Sequence, residues 1–195
     1  LSIGYSEIIY AEGASAFGGN RQSALLNLQS EMKIINTVFA VHNHQPIGNF
    51  EKVFAEAFQH AYKPFLEVIE KHPDVKITQH WTGTLLEWLV AKHPELIEKM
   101  KEMVKRGQLE LLTGSYYEAI LAIIPEADRV GQIRKLSDYI HKIFDYEPRG
   151  MWLAERVWEQ PLVASLAKAG VEFVTVDDTH FRPVGLHDEE LLGYF

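Results

Sequence analysis

The strongest constraint on the fold is an alternation repeated five times: a short apolar run, then a helical pattern, with polar residues at each strand exit. Residues 34–41 are β-branched and aromatic and read as a buried strand. Phe50, Val53, Phe54, Ala57, Phe58, Ala61, Tyr62, Phe65, Leu66 and Ile69 then recur at helical spacing, with Pro64 placed to kink the helix. Residues 75–80 form a second strand. Two helical patterns follow, one through Leu85, Leu86, Leu89 and Val90. The other opens at Pro94, continues through Leu96, Ile97, Met100, Met103 and Val104, and stops at Gly107. Residues 108–112 predict strand three, and Val130, Ile133, Leu136, Ile140 and Ile143 a later helix. Residues 150–154 predict strand four with a helix over 161–170, and residues 171–176 predict strand five. Five β/α units in succession imply a parallel sheet with helices outside, either wound open or closed into a barrel.

Bulk properties narrow the function classes. The chain has 195 residues, 47% of them hydrophobic, which suits one globular domain with a proper core. Its net charge of −8 comes without a basic block, so a nucleic-acid footprint and a polybasic membrane patch are both missing. There is no cysteine, which excludes disulfides and thiolate metal sites. No apolar run approaches the roughly 20 residues of a membrane span. A soluble, cytoplasmic chain is expected. Residues 1–31 are small, polar and aperiodic around 11–20 and lack the pattern of a signal peptide. They read as an extension outside a fold that starts at Met32, or alternatively as a tethered arm.

The strand exits carry the chemistry. Strand one ends in His42-Asn43-His44-Gln45-Pro46 and strand two in His80-Trp81-Thr82-Gly83. Strand three carries Glu110 and runs into Thr113-Gly114-Ser115-Tyr116-Tyr117-Glu118. Strand four ends in Glu155-Arg156-Val157-Trp158, and strand five in Asp177-Asp178-Thr179-His180-Phe181. A charged group at the tip of a buried strand is costly unless something there needs it. In barrels that rim is where chemistry is done, so Glu155 is the first catalytic candidate. Taken singly, each feature has a plainer reading. Asp177 and Asp178 suit a cap or turn, the tryptophans suit the core, and Glu110 suits a structural salt bridge as well as a substrate contact. Convergence of five exits on one face favours function.

Phosphate loops of the GxGxxG or Walker type, a GxSxG elbow and a cysteine nucleophile are all missing. Aromatic rings beside carboxylates suit sugars, whose apolar faces stack on rings while Asp, Glu, His and Asn bond the hydroxyls. Glycosidic cleavage needs two carboxyl groups. The motifs His42-Asn43-His44-Gln45-Pro46, Gly107-Gln108-Leu109-Glu110-Leu111 and Trp152-Leu153-Ala154-Glu155-Arg156-Val157-Trp158 resemble the first three signature regions of glycoside hydrolase family 57, in its 4-α-glucanotransferase/α-amylase branch. The resemblance runs from Met32 to Phe195. It implies an incomplete (β/α)7 barrel and a retaining reaction on α-1,4-glucans or maltooligosaccharides, with no cofactor or metal. Carried over by motif, Glu155 would be the nucleophile that forms a covalent glycosyl-enzyme. His42, His44 and Glu110 would line the donor subsite, and Trp152 would be a sugar platform. His80 and Asp178 join the substrate-binding set by their strand-tip positions. The family's acid/base is an aspartate of a fourth motif expected beyond Phe195. Residues 32–195 are therefore expected to be the N-terminal portion of a catalytic barrel, inactive alone.

Two rival readings remain. A metal-dependent polysaccharide deacetylase could use His42, His44, Asp177, Asp178 and His180 as an O/N metal site. A fragment that binds glucan without cleaving it is the other.

Overall fold

A computed structural model describes residues 37–191. The expected extension over 1–31, and the first residues of the strand expected from Ile34, lie outside the described residues. Five strands are formed: β1 (Ala40–Asn43), β2 (Ile77–Trp81), β3 (Leu109–Leu112), β4 (Gly150–Trp152) and β5 (Phe173–Thr175). The first three make one parallel sheet in that order, and β4 and β5 make a parallel pair. A single parallel bridge between Thr113 and Met151 joins the two. There the Thr113 amide donates to the Gly150 carbonyl at 2.9 Å, and the Trp152 amide donates to the Thr113 carbonyl at 2.8 Å. All strands are thus parallel and lie in chain order. A doubly wound sheet reverses its order at a switch point, whereas a barrel wall keeps it. The arc is part of an α/β barrel.

Six α-helices are described: α1 (Glu51–Ala57), α2 (Lys63–Glu70), α3 (Gly83–Lys92), α4 (Pro94–Lys105), α5 (Glu126–Phe144) and α6 (Leu162–Ala169). The kink expected at Pro64 takes the form of a π-helical turn, Phe58–Tyr62, joining α1 to α2. Pro64 has no N–H for the His60 carbonyl, and its ring would crowd that oxygen in a regular helix. Widening the preceding turn leaves the proline in the first turn of α2, where it is tolerated. Helix α4 starts at Pro94 and ends where Gly107, at φ +69°, lets Gln108 N–H reach back to Met103 at 2.9 Å.

Side chains alternate across the arc. Val41, Ile77, Trp81, Leu109 and Leu111 face the helices and join Leu66, Leu89, Met100 and Leu136 in the main core. Met151 and Leu153 do the same with Ile133, Leu162 and Leu166 in a second cluster. Full burial of each such side chain contributes roughly 1.5–3 kcal/mol. The alternate residues His42, Thr78, His80, Glu110, Leu112 and Trp152 fall on the inner face. Every residue of β2 is buried, so both of its faces are covered, as parallel sheets require.

Gly114 follows the bridging Thr113 directly beneath the inner residues. A Cβ there would lie 2.4 Å from His80 Nε2 and 3.2 Å from the Trp152 carbonyl oxygen. His80 is fully buried and has no room to retreat. Gly114→Ala is expected to destabilise the intact protein by about 1–3 kcal/mol. A urea titration should show a lowered midpoint at unchanged slope.

Candidate active site

The C-terminal rim of the arc gathers three imidazoles and an indole. His42 stacks on Trp152 with ring centroids 4.7 Å apart and planes within 7°, and also on His80 at 4.9 Å and His44 at 5.9 Å. Nδ1 of His42 lies 2.8 Å from Nδ1 of His80, a hydrogen bond between two rings. The β1 exit is held from three sides. Asn43 Nδ2 donates to the His80 carbonyl at 3.2 Å, Thr84 donates to the Gln45 carbonyl at 3.2 Å, and Tyr62 donates to the His44 carbonyl at 3.3 Å. Tyr62 also accepts from Gln45 Nε2 at 2.9 Å. Because Tyr62 closes the π-turn, the irregular helix and the strand exit are fastened together. A cleft of about 320 Å³ opens between them, lined by His42, Asn43, His44, Gln45, Ala57, Ala61, Tyr62 and Glu155.

Glu155 reaches that cleft from a strained turn. It has φ +51° and Arg156 has φ +53°, both in the left-handed region. Such positions cost on the order of 1–3 kcal/mol each and persist only where the surroundings over-determine them. Here the Arg156 and Val157 amides donate to Leu153 and Ala154 at 2.9 and 3.2 Å. From the β5 exit, His180 Nε2 meets the Arg156 carbonyl at 2.9 Å, and Asp177 lies 3.7 Å from the Arg156 guanidinium. Of the four non-glycine residues with positive φ among the described residues, Glu118, Glu155 and Arg156 cluster at this rim.

Burial sets the electrostatics. It brings the His42 pKa down to about 4, with His44 and Arg156 adding to the effect. Burial also holds His80 well below the ordinary imidazole value, helped by His42 and His44. His44 is lowered by burial although Glu155 opposes it. The imidazoles are therefore neutral at pH 7. Glu118, whose carboxyl lies 3.4 Å from His42 Nε2, is pushed up to about 8 by burial and by the charge on Glu155.

The structure brings Glu155, His42, His44, His80 and Trp152 together and leaves two predicted residues apart. Glu110 sits on the inner face of β3 toward the N-terminal end of the strands and accepts from the Thr78 hydroxyl at 2.8 Å. Asp178 pairs with Arg182 at 2.8 Å, away from the cleft. Trp152 already has one indole face covered by His42, so a sugar platform on that side is taken. The metal set of the deacetylase reading is not assembled: Asp177 caps Thr179, Asp178 holds Arg182 and His180 holds Arg156. Among the described residues, His42, His80 and Glu118 are the group whose ligand-type atoms lie within 4.8 Å of one another. They fit a metal poorly. The two Nδ1 atoms are bonded to each other at 2.8 Å, closer than the roughly 3.3 Å between ligands at Zn–N distances. His80 Nε2 is sealed against Gly114. Gln45 and Glu118 fall in the strand exits and Tyr62 in the helical pattern read from the sequence, but none of them is among its candidate site residues. Glu118 lies six residues past β3 and returns only because its amide bonds the Ser115 carbonyl at 3.0 Å.

Comparison with known proteins gives the family of the chain. The model of glycosyl hydrolase family 57 matches residues 31–194, and the chain belongs to that family. It is 52% identical over 163 residues to alpha-amylase 1 of Dictyoglomus thermophilum, covering 84% of this chain and 24% of the relative. It is 48% identical over 160 residues to the 4-alpha-glucanotransferase of Thermococcus litoralis, covering 82% of this chain and 24% of the relative. The crystal structure of that glucanotransferase superimposes with a TM-score of 0.79 at 47% identity, over 82% of this chain and 25% of its own. The chain thus spans about a quarter of the length of these relatives. A family 4 carbohydrate esterase from Streptomyces lividans shares the fold alone, at TM-score 0.51 and 14% identity over 71% of this chain and 60% of its own.

The His180 contact generates a test. His180→Ala removes one anchor of the strained turn without touching the cleft. Hydrogen exchange of the Arg156 and Val157 amides in the intact protein is expected to speed up by roughly 10-fold or more in the variant, read by mass spectrometry or NMR.

Proposed function

We propose that the intact protein carrying this chain is a retaining glycosidase or transglycosylase of α-1,4-glucans, of the 4-α-glucanotransferase or α-amylase type. Glu155 is its nucleophile. The observation that carries this reading is the left-handed turn at the β4 exit, which holds the Glu155 carboxyl in the cleft between the β1 exit and the π-turn. A glucosyl ring in that cleft would be flanked by His42 and His44, both of which line it. The name of the Thermococcus litoralis relative, 48% identical, supports α-glucan as the substrate.

In the proposed reaction, a Glu155 oxygen attacks the anomeric carbon as the glycosidic bond breaks. A proton from an acid carboxyl goes to the departing sugar oxygen. That acid then deprotonates the acceptor, either a sugar 4-hydroxyl (transfer) or water (hydrolysis), which displaces Glu155 and restores its carboxylate. Retention requires the two carboxyl groups to stand about 5–5.5 Å apart across the sugar. Glu118 is not assigned as that acid, since it is not among the residues that line the cleft. The acid is assigned to a carboxyl outside the described residues.

The neutral imidazoles suit this scheme. An uncharged His42 and His44 place no imidazolium charge beside the Glu155 carboxylate to quench its nucleophilicity.

Glu155→Gly in the intact enzyme is expected to lower turnover of maltooligosaccharides by about 1000-fold or more. Added azide should restore bond cleavage and yield a glycosyl azide of inverted configuration. Full activity in the variant, or no azide product, would falsify the assignment.

A further inference from the structure

Glu118 has no step in the reaction above, yet its burial is costly. Both carboxyl oxygens are buried without a hydrogen bond, and the residue itself is held left-handed at φ +59°. Its neighbour is His42 Nε2, at 3.4 Å. The other nitrogen of that ring, Nδ1, bonds His80 Nδ1 at 2.8 Å. His80 Nε2 then ends the line against Gly114 without a partner. Three groups therefore stand in series, from a carboxyl through one imidazole to a second. A neutral imidazole carries one proton, so a bond between two Nδ1 atoms places one ring as donor and the other as acceptor. What His42 Nε2 meets at its far side decides which.

We propose that Glu118 is a positioning residue for His42, its carboxyl group setting which nitrogens carry the protons along a Glu118–His42–His80 relay. This deepens the reading of the cleft as a glucan site and relies on that reading only for its kinetic consequence. With Glu118 protonated, its O–H donates to His42 Nε2, His42 Nδ1–H donates to His80 Nδ1, and His80 keeps its proton on Nε2. With Glu118 ionised, one proton is lost to solvent and the order reverses. His80 Nδ1–H then donates to His42 Nδ1, and His42 Nε2–H donates to the carboxylate. Each ring retains one proton throughout, on its other nitrogen. The present 3.4 Å separation is longer than a formed hydrogen bond, and such contacts commonly tighten when substrate fills a site.

The groups facing the relay are His44 at the β1 exit, His80 on β2, and Glu155 and Arg156 at the β4 exit. Burial and the Glu155 charge place Glu118 at about 8, so the first order holds at neutral pH and gives way above it. Two consequences follow for catalysis. Both nitrogens of His42 are engaged, so the ring meets sugar with its edge carbons rather than as a hydrogen-bond donor. An uncharged Glu118 also leaves Glu155 as the sole negative charge of the pair.

The test uses the intact enzyme labelled with ¹⁵N-histidine and titrated from pH 6 to 10 by NMR. At pH 6 the proton is expected on Nδ1 of His42 and on Nε2 of His80, with both switching near pH 8. Glu118→Gln, whose amide donates the same bond but does not titrate, should keep the pH 6 pattern throughout and abolish an alkaline limb of kcat/KM near pH 8. Finding the His42 proton on Nε2 at pH 6, or an unchanged alkaline limb in Glu118→Gln, would overturn the relay. Should that variant not fold, the wild-type titration decides alone. Azide rescue of Glu155→Gly is independent of either result, so failure of the relay and failure of the glucan reading are distinguishable.

Discussion

Two backbone hydrogen bonds at Thr113 determine how the halves of the arc meet. Its amide and carbonyl clasp Gly150 and Trp152, while its hydroxyl accepts from Ser137 at 2.8 Å and donates to the Ile133 carbonyl at 3.3 Å on α5. One residue thereby ties β3, β4 and a helix together. His42 and His80 come from the first sheet, and Trp152 and Glu155 from the second. Their face-to-face stacking depends on the register imposed at this bridge. Parallel strands in chain order do the rest, since each strand then delivers its exit residues to the same rim.

The rim is assembled against local preference. Neutral imidazoles, a buried carboxyl and two adjacent left-handed residues all raise the energy of the site. The offsetting free energy lies elsewhere, in fully buried Leu85, Leu89, Met100, Leu136 and Met151 on the helix side of the strands. Stability and chemistry are thus divided between the two faces of one sheet. Strain in the Glu155–Arg156 turn is held by contacts from β5, so an element with no side chain lining the cleft still determines where its carboxyl sits.

Much of this architecture was legible in the residues. Apolar runs and helical spacing located the five strands and the main helices, because the helix-facing strand positions Ile77, Trp81, Leu109, Leu111, Met151 and Leu153 are apolar and α4 is amphipathic. The motif around Glu155 marked the catalytic candidate because a carboxylate closing an apolar run is expensive. Strand ends were less legible. Residues 75–80 were expected where the ladder holds Ile77–Trp81, since pairing with Asn43 and Leu109 decides the limits, not local composition. Glu110 and Asp178 were placed by motif and by strand tip, but height along a strand and the reach of a neighbouring arginine decide what each touches. Glu118 was missed for the opposite reason. Nothing in a six-residue excursion after β3 announces that a turn at Ser115 brings it back to His42.

The π-turn between α1 and α2 has one more implication. A π-turn carries one residue more than an α-helical turn, and each residue in an α-helix advances about 100°. Shortening Phe58–Tyr62 by a single residue would leave a continuous helix of ordinary geometry. The wide turn absorbs the extra residue, so the segments on either side would keep nearly the same facing, but the turn from which the phenol of Tyr62 reaches the His44 carbonyl would be gone. In this stretch the helix would tolerate a deletion that the wall of the cleft would not, so chain length here is dictated by the cavity rather than by the helix that encloses it.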